Sequence, residues 1–129
     1  HPCNTPPRRF RDLYAAMLEK VRALGSTPVV LTLPPIDSQR YFNWISRNLN
    51  GAAILEFLGS VRRIGSWQAF YNDMVVSAAH ACGARLIDIR RAFMRRSRFD
   101  TLLCADGIHP NAAGQRLIYQ AAAPSEPLL

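Results

Sequence analysis

The chain has 129 residues, of which 49% are hydrophobic and 19% are charged. This composition supplies enough apolar material for one folded domain and too little charge for a disordered chain. No apolar run approaches the roughly 20 residues that are needed to cross a bilayer. The formal net charge is +7, and every basic residue except Lys20 is an arginine, which is more typical of GC-rich coding than of a nucleic-acid-binding surface.

The first predicted helix follows Pro6 and Pro7 and ends at Gly25. Its apolar residues recur in steps of three and four, which predicts one buried stripe. The stripe comprises Phe10, Leu13, Tyr14, Met17, Leu18, Val21 and Leu24. Residues 27–33 then read Thr-Pro-Val-Val-Leu-Thr-Leu, which is typical of a parallel strand that is buried on both faces. The two prolines that follow end this strand.

Two short helices are predicted over residues 38–49 and 52–58, and a long amphipathic helix begins at Trp67. The apolar face of the long helix comprises Trp67, Phe70, Tyr71, Met74, Val75, Ala78, Ala79 and Cys82. Gly83 ends it, and residues 85–89 are predicted to form a second strand. Asn111 is placed to cap a final helix.

This alternation of helices and strands predicts crossover units and a parallel sheet. Two strands are too few for a stable parallel sheet, so the chain resembles the later half of a doubly wound domain. Long apolar faces are expected to be exposed without the front strands. A chain that opens with His1 instead of Met is expected to have lost its true start, and any signal sequence with it.

The three cysteines, Cys3, Cys82 and Cys104, are odd in number and lack Cys-x-x-Cys spacing. No disulfide framework is predicted, which favours a reducing compartment such as the cytoplasm, although the compartment stays undetermined. A metal site is a remote option, since its candidate ligands His80, Cys82, Cys104 and His109 lack the usual spacing.

The segment from Asp106 to Asn111 reads Asp-Gly-Ile-His-Pro-Asn. An imidazole can take a proton from an alcohol and return it to a leaving group. It needs a carboxylate that holds its tautomer and stabilises the imidazolium. A turn of three residues can bring Asp106 and His109 together, and Gly107 and Pro110 shape such a turn.

This segment resembles the last conserved block of the SGNH (GDSL-type) hydrolases, a family of esterases and lipases. The resemblance extends over nearly the whole chain, with landmarks in the right order and spacing. The landmarks are residues 27–37, Tyr41-Phe42-Asn43-Trp44-Ile45-Ser46, Leu86-Ile87-Asp88-Ile89-Arg90 and residues 102–111. The resemblance implies a three-layer α/β/α, flavodoxin-like fold, of which residues 1–129 are the C-terminal part of a single domain.

The family resemblance also implies site residues. His109 would be the general base and Asp106 its orienting partner, whereas the nucleophilic serine, in a Gly-Asp-Ser motif, lies outside this chain. Asn4 is a weaker candidate for an oxyanion donor, since its neighbours do not match the family's Gly-x-Asn-Asp block. Tyr41 and Trp44 are candidates for the substrate pocket, and a role in the core is equally compatible with them.

The reaction that the resemblance implies is hydrolysis of a carboxylic ester through an acyl-enzyme, with no metal or organic cofactor. The resemblance implies a small ester substrate, such as an acyl lipid, an acetylated sugar or a small thioester or ester. The sequence does not choose among these classes or fix the oligomeric state. The chain alone is predicted to be inactive because it lacks the nucleophile. One alternative is a non-catalytic SGNH-like binding protein that has lost its nucleophile.

A basic nucleic-acid-binding module is a remote alternative, and no nucleic-acid partner is expected. The only cluster of basic residues comprises Arg90, Arg91, Arg95, Arg96 and Arg98. At this spacing the arginines would go round a helix instead of along one face, with few aromatic residues for base stacking. The alternative predicts salt-sensitive binding that weakens when the last three of these arginines are neutralised.

Overall fold

The structure is a computed structural model and describes residues 5–123. Within this range the elements are α1 (Pro7–Ala23), β1 (Val29–Leu31), α2 (Ser38–Ile45), α3 (Gly51–Leu58), α4 (Arg62–Ala81), β2 (Arg85–Ile87), α5 (Ile89–Met94), a 3-10 helix (Phe99–Leu102) and α6 (Ala112–Ala122). None of these helices is long and apolar enough to span a membrane.

β1 and β2 form a parallel pair in which Val29 lies opposite Arg85 and Leu31 opposite Ile87. The two strands are joined through α2, α3 and α4, because parallel neighbours require a long crossover connection. The predicted α/β class with a small parallel sheet is therefore confirmed.

The main core lies on the face of the sheet that α1 and α4 cover. It is built from buried side chains of α1, β1 and α4 together with the cysteine that ends α4: Leu18, Val30, Val75, Ala79 and Cys82. A second buried region involves α5 and the segment after the 3-10 helix, where Phe93 is fully buried. Burial of these side chains removes apolar surface from water and drives the packing of the helices.

Apolar faces of β1 and α1 are exposed among residues 5–123, as expected for a chain without the front strands. The sequence of β1 is typical of a strand that is buried on both faces, but Val29 is 47% exposed and Leu31 37% exposed. Adjacent strand residues point to opposite faces, and among residues 5–123 only the face that carries Val30 is well covered. The stripe of α1 is also wider than the face that α4 covers, so that Leu13 and Met17 remain exposed.

The second strand ends earlier than predicted because Asp88 begins a helix. Its carboxylate accepts a hydrogen bond from the amide of Arg91 (3.0 Å) and so caps α5. The same carboxylate accepts a hydrogen bond from the hydroxyl of Thr32 (3.1 Å), which in turn accepts one from the amide of Arg90 (2.9 Å). These bonds give Asp88 a structural role, and they join the ends of the two strands.

Candidate active site

The candidate site lies on a loop between the 3-10 helix and α6. Leu103 and Pro110 pair in an isolated antiparallel bridge that closes the base of this loop. Inside it, the amide of Cys104 donates to the carbonyl of His109 (2.7 Å), and the amide of Gly107 donates to the carbonyl of Cys104 (3.0 Å). The loop is therefore a tight, hydrogen-bonded turn, and it places Asp106 and His109 on the same side.

The side chains of Asp106 and His109 form a direct pair. Nδ1 of His109 lies 2.5 Å from Oδ2 of Asp106, while Oδ1 accepts hydrogen bonds from the amides of Ile108 (3.0 Å) and His109 (3.1 Å). The Asp106 side chain is 17% exposed, whereas the His109 side chain is 72% exposed. A carboxylate on Nδ1 fixes the ring tautomer and leaves Nε2 to accept a proton at the surface.

The electrostatics of the turn keep Asp106 ionised. The hydrogen bond from His109, followed by that from the amide of Ile108, lowers the pKa of Asp106 to about 2. A carboxylate with such a low pKa stays charged throughout the range in which an imidazole exchanges protons. It can therefore stabilise an imidazolium without taking up the proton itself.

This lowered pKa predicts how the turn responds to acid. A carboxyl group whose folded-state pKa is depressed contributes stability above its unfolded value, and this contribution is lost as the pH falls through the folded value. For Asp106 the window runs from its ordinary pKa of 3.8 down to about 2. We expect the stability difference between the natural chain and Asp106→Asn to shrink as the pH falls across this window. Urea unfolding of both proteins at matched pH values measures that difference. The contributions of the other carboxyl groups to the pH dependence cancel because both proteins contain them. A difference that does not vary with pH would contradict the pairing.

The turn is anchored to the N-terminal end of α2. The amide of Asp37, which caps α2, donates to the carbonyl of Gly107 (2.8 Å). Asp37 follows β1 along the chain, so this bond holds the turn next to the segment that leaves the carboxyl end of the strand. Ligands of open α/β sheets bind at such carboxyl ends.

Arg40 ties the same helix to the start of the turn. Its Nη1 donates to the backbone carbonyls of Asp100 (2.9 Å) and Cys104 (3.3 Å). Its guanidinium also lies 3.6 Å from the carboxylates of both Asp37 and Asp100. Sequence reasoning missed Arg40, and no signal in the sequence could have identified it, because its carbonyl partners are 60 and 64 residues away.

Asn111 holds the other end of the turn. Its Oδ1 accepts from the amides of Ala113 (3.0 Å) and Gly114 (3.1 Å), which caps α6 as the sequence predicted. Its Nδ2 donates to the carbonyls of Thr101 (2.8 Å) and Leu103 (3.2 Å). One side chain thus fixes the start of α6 to the strand-like segment that opens the turn.

Tyr41 and Trp44, the two candidates for the substrate pocket, both lie on α2. Tyr41 is half-buried, and its amide borders Gly107, so it lies next to the turn. Trp44 lies one helical turn further along α2, is 41% exposed and packs against the guanidinium of Arg47 at 4.4 Å. Their contact with a substrate stays a prediction. Asn4 lies outside the described residues.

Cys104 is a half-buried free thiol whose backbone takes part in the turn. Within residues 5–123, no three His, Cys, Asp or Glu side chains are grouped closely enough to hold a metal ion.

The Asp–His pair lies near the carboxyl ends of parallel strands, which is where open α/β domains bind their ligands. The fold and the pair together define an α/β domain with a candidate active site at this edge of the sheet. The model of the GDSL-like Lipase/Acylhydrolase family matches residues 3–117. The chain therefore belongs to this family, as its motifs indicated.

A solved structure supports the same fold. The chain is similar to the crystal structure of LAE5, an α/β hydrolase enzyme from the metagenome of Lake Arreo, Spain, with a TM-score of 0.64 and 20% sequence identity. The match covers 92% of this chain but 46% of that one, so the chain spans about half the length of that enzyme. Among curated proteins, none matches this chain.

Proposed function

We propose that this chain supplies the general base and its orienting carboxylate to a serine ester hydrolase whose nucleophile lies outside residues 1–129. The observation that carries the proposal is the 2.5 Å contact between Nδ1 of His109 and Asp106, on a ring that is otherwise exposed. This is the arrangement that an imidazole needs in order to act as a base through Nε2.

The reaction follows from the roles of these groups. Nε2 of His109 takes the proton of the serine hydroxyl as Oγ attacks the ester carbonyl carbon. Asp106 remains ionised and stabilises the imidazolium. The imidazolium then returns the proton to the alkoxide that leaves, which gives an acyl-enzyme. A water molecule attacks the acyl-enzyme with His109 again as base, and this step releases the carboxylic acid and restores the serine.

Three observations support an origin in a larger catalytic domain. Residues 1–129 contain no Gly-Asp-Ser sequence, although the chain belongs to the GDSL-like family. The chain spans 46% of the length of the similar enzyme. Val29 and Leu31 present an apolar surface that residues 5–123 leave exposed. We assign residues 1–129 to the C-terminal part of a single hydrolase domain, with the nucleophile and further strands on the preceding part.

The substrate is an ester, with acyl lipids and acetylated sugars among the classes that the family resemblance implies. Tyr41 borders the turn and is the nearer candidate for the pocket, and Trp44 lies further along the same helix. Asn4 is proposed as an oxyanion donor. No cofactor takes part in the proposed reaction.

The test compares the isolated chain with a protein extended by the in-frame coding sequence upstream of His1. The extended protein is expected to hydrolyse p-nitrophenyl acetate, and replacement of its Gly-Asp-Ser serine by alanine is expected to abolish turnover. The isolated chain should show no turnover above that of free imidazole.

Turnover by the isolated chain that disappears in His109→Ala would contradict the assignment of the nucleophile to another segment. A start codon next to His1, without any upstream Gly-Asp-Ser, would instead favour the non-catalytic SGNH-like binding protein.

A further inference from the structure

A hollow of about 490 Å³ lies between the end of α5, the 3-10 helix and α6. Four arginines line it: Arg95, Arg96, Arg98 and Arg116. The run of arginines does not continue round a helix as the sequence suggested, because α5 ends at Met94. Packing of α6 against α5 brings Arg116 to the same hollow, so the cluster depends on the fold and not only on the local sequence.

The charge in this hollow is not balanced by its lining. No aspartate or glutamate lines the hollow. Arg98 pairs with Asp100 through two contacts of 2.9 Å. Arg95, Arg96 and Arg116 form no ion pair with any residue from 5 to 123. Like charges that converge on one hollow repel each other, and a bound anion would relieve this repulsion.

The volume and the lining favour a small ligand over a polymer. The volume lies within the roughly 300 to 1,000 Å³ that is usual for small-molecule sites. Leu102, Leu117 and Gln120 also line the hollow. These groups can contact a short carbon skeleton and its hydroxyls. No aromatic ring lines the hollow, so it lacks the stacking platform that single-stranded nucleic acids use.

We propose that this hollow binds the phosphate group of a small organic phosphate, with the guanidiniums of Arg95, Arg96 and Arg116 as its ligands. Guanidinium groups present forked pairs of donors that match phosphate oxygens. The same chemistry could be presented by a soluble phosphate ester or by the headgroup of an anionic phospholipid. The proposal is independent of the Asp106–His109 pair and of the proposed hydrolysis.

The test measures binding of glycerol 3-phosphate to the full chain by isothermal titration calorimetry. The triple variant Arg95→Gln, Arg96→Gln, Arg116→Gln is expected to bind at least about tenfold more weakly, since charge-assisted hydrogen bonds are lost. The matched control is Arg8→Gln, Arg9→Gln, Arg63→Gln, which removes the same charge from exposed positions that do not line the hollow. The control is expected to retain binding within about twofold because the ligand is held by local contacts.

Equal losses in the two triple variants would overturn the proposal, because they would show a delocalised effect of net charge. Absence of binding to the natural chain would overturn it as well. The single variant Arg116→Gln provides the comparison if the triple variant does not fold, and it is expected to weaken binding.

Vesicles that contain phosphatidylglycerol distinguish the two sources of the phosphate group, a soluble ester and a phospholipid headgroup. Displacement of the chain from vesicles by glycerol 3-phosphate would support a shared phosphate site. Vesicle binding in the absence of any binding of glycerol 3-phosphate would overturn the small-ligand site.

Discussion

Alanine in place of His109 is expected to lower kcat/KM for p-nitrophenyl acetate by at least about a thousandfold in the complete enzyme that we propose. The substitution removes Nε2, the only group in our scheme that accepts the serine proton. Residual activity should come from binding and oxyanion stabilisation, which act without the base. The loss should appear in kcat, since the imidazole acts in the transition state and makes little contribution to ground-state binding.

Two further variants make this experiment specific. Asp106→Asn keeps the size of the side chain but removes the charge that holds Nδ1, so a loss of at least about a hundredfold is expected. His80→Ala is the matched control, because His80 is an exposed histidine on α4, outside the turn. Its activity should equal that of the natural enzyme. A His109→Ala variant with activity close to that of His80→Ala would exclude His109 as the base.

The parts of the site that depend on neighbours in sequence could be predicted. The Asp106–His109 pair and the cap of α6 by Asn111 each join residues no more than three apart. Turn and cap chemistry at such short range is determined by local residue types. The membership in the family was likewise predictable, because it depends on the order and spacing of motifs that the family model also matches.

The parts that depend on distant residues could not be predicted. The hydrogen bond from Thr32 to Asp88, which joins the ends of β1 and β2, spans 56 residues. The run of residues 85–89 does not reveal this partner by itself. The same argument applies to Arg40, whose partners are backbone carbonyls of another segment. The arginine hollow also required the fold, since Arg116 joins it from α6.

The contact between the turn and α2 can be tested at Gly107. Its φ of +76° lies in the left-handed region, where a side chain costs about 1 kcal/mol. A Cβ at Gly107 would also lie 2.9 Å from the carbonyl oxygen of Asp37 and 2.9 Å from the amide nitrogen of Tyr41. Both are backbone atoms that a rotamer change cannot move. We therefore expect Gly107→Ala to lower the free energy of unfolding by about 2 to 4 kcal/mol, the sum of backbone strain and overpacking.

A substitution at Gly59 separates the cost of backbone strain from the cost of overpacking. The φ of Gly59, +75°, is almost the same, but a Cβ there would meet nothing within 4 Å. Gly59→Ala should therefore cost only the backbone term, about 1 kcal/mol. Urea unfolding of both variants measures the difference, which reports how closely α2 packs against the Asp106–His109 turn. Equal costs would mean that the turn is not held against α2, and the anchoring of the Asp106–His109 turn by Asp37 and Arg40 would then be wrong. In the complete enzyme, Gly107→Ala should also lower kcat more than Gly59→Ala does, because a displaced turn moves Nε2 of His109 away from the serine.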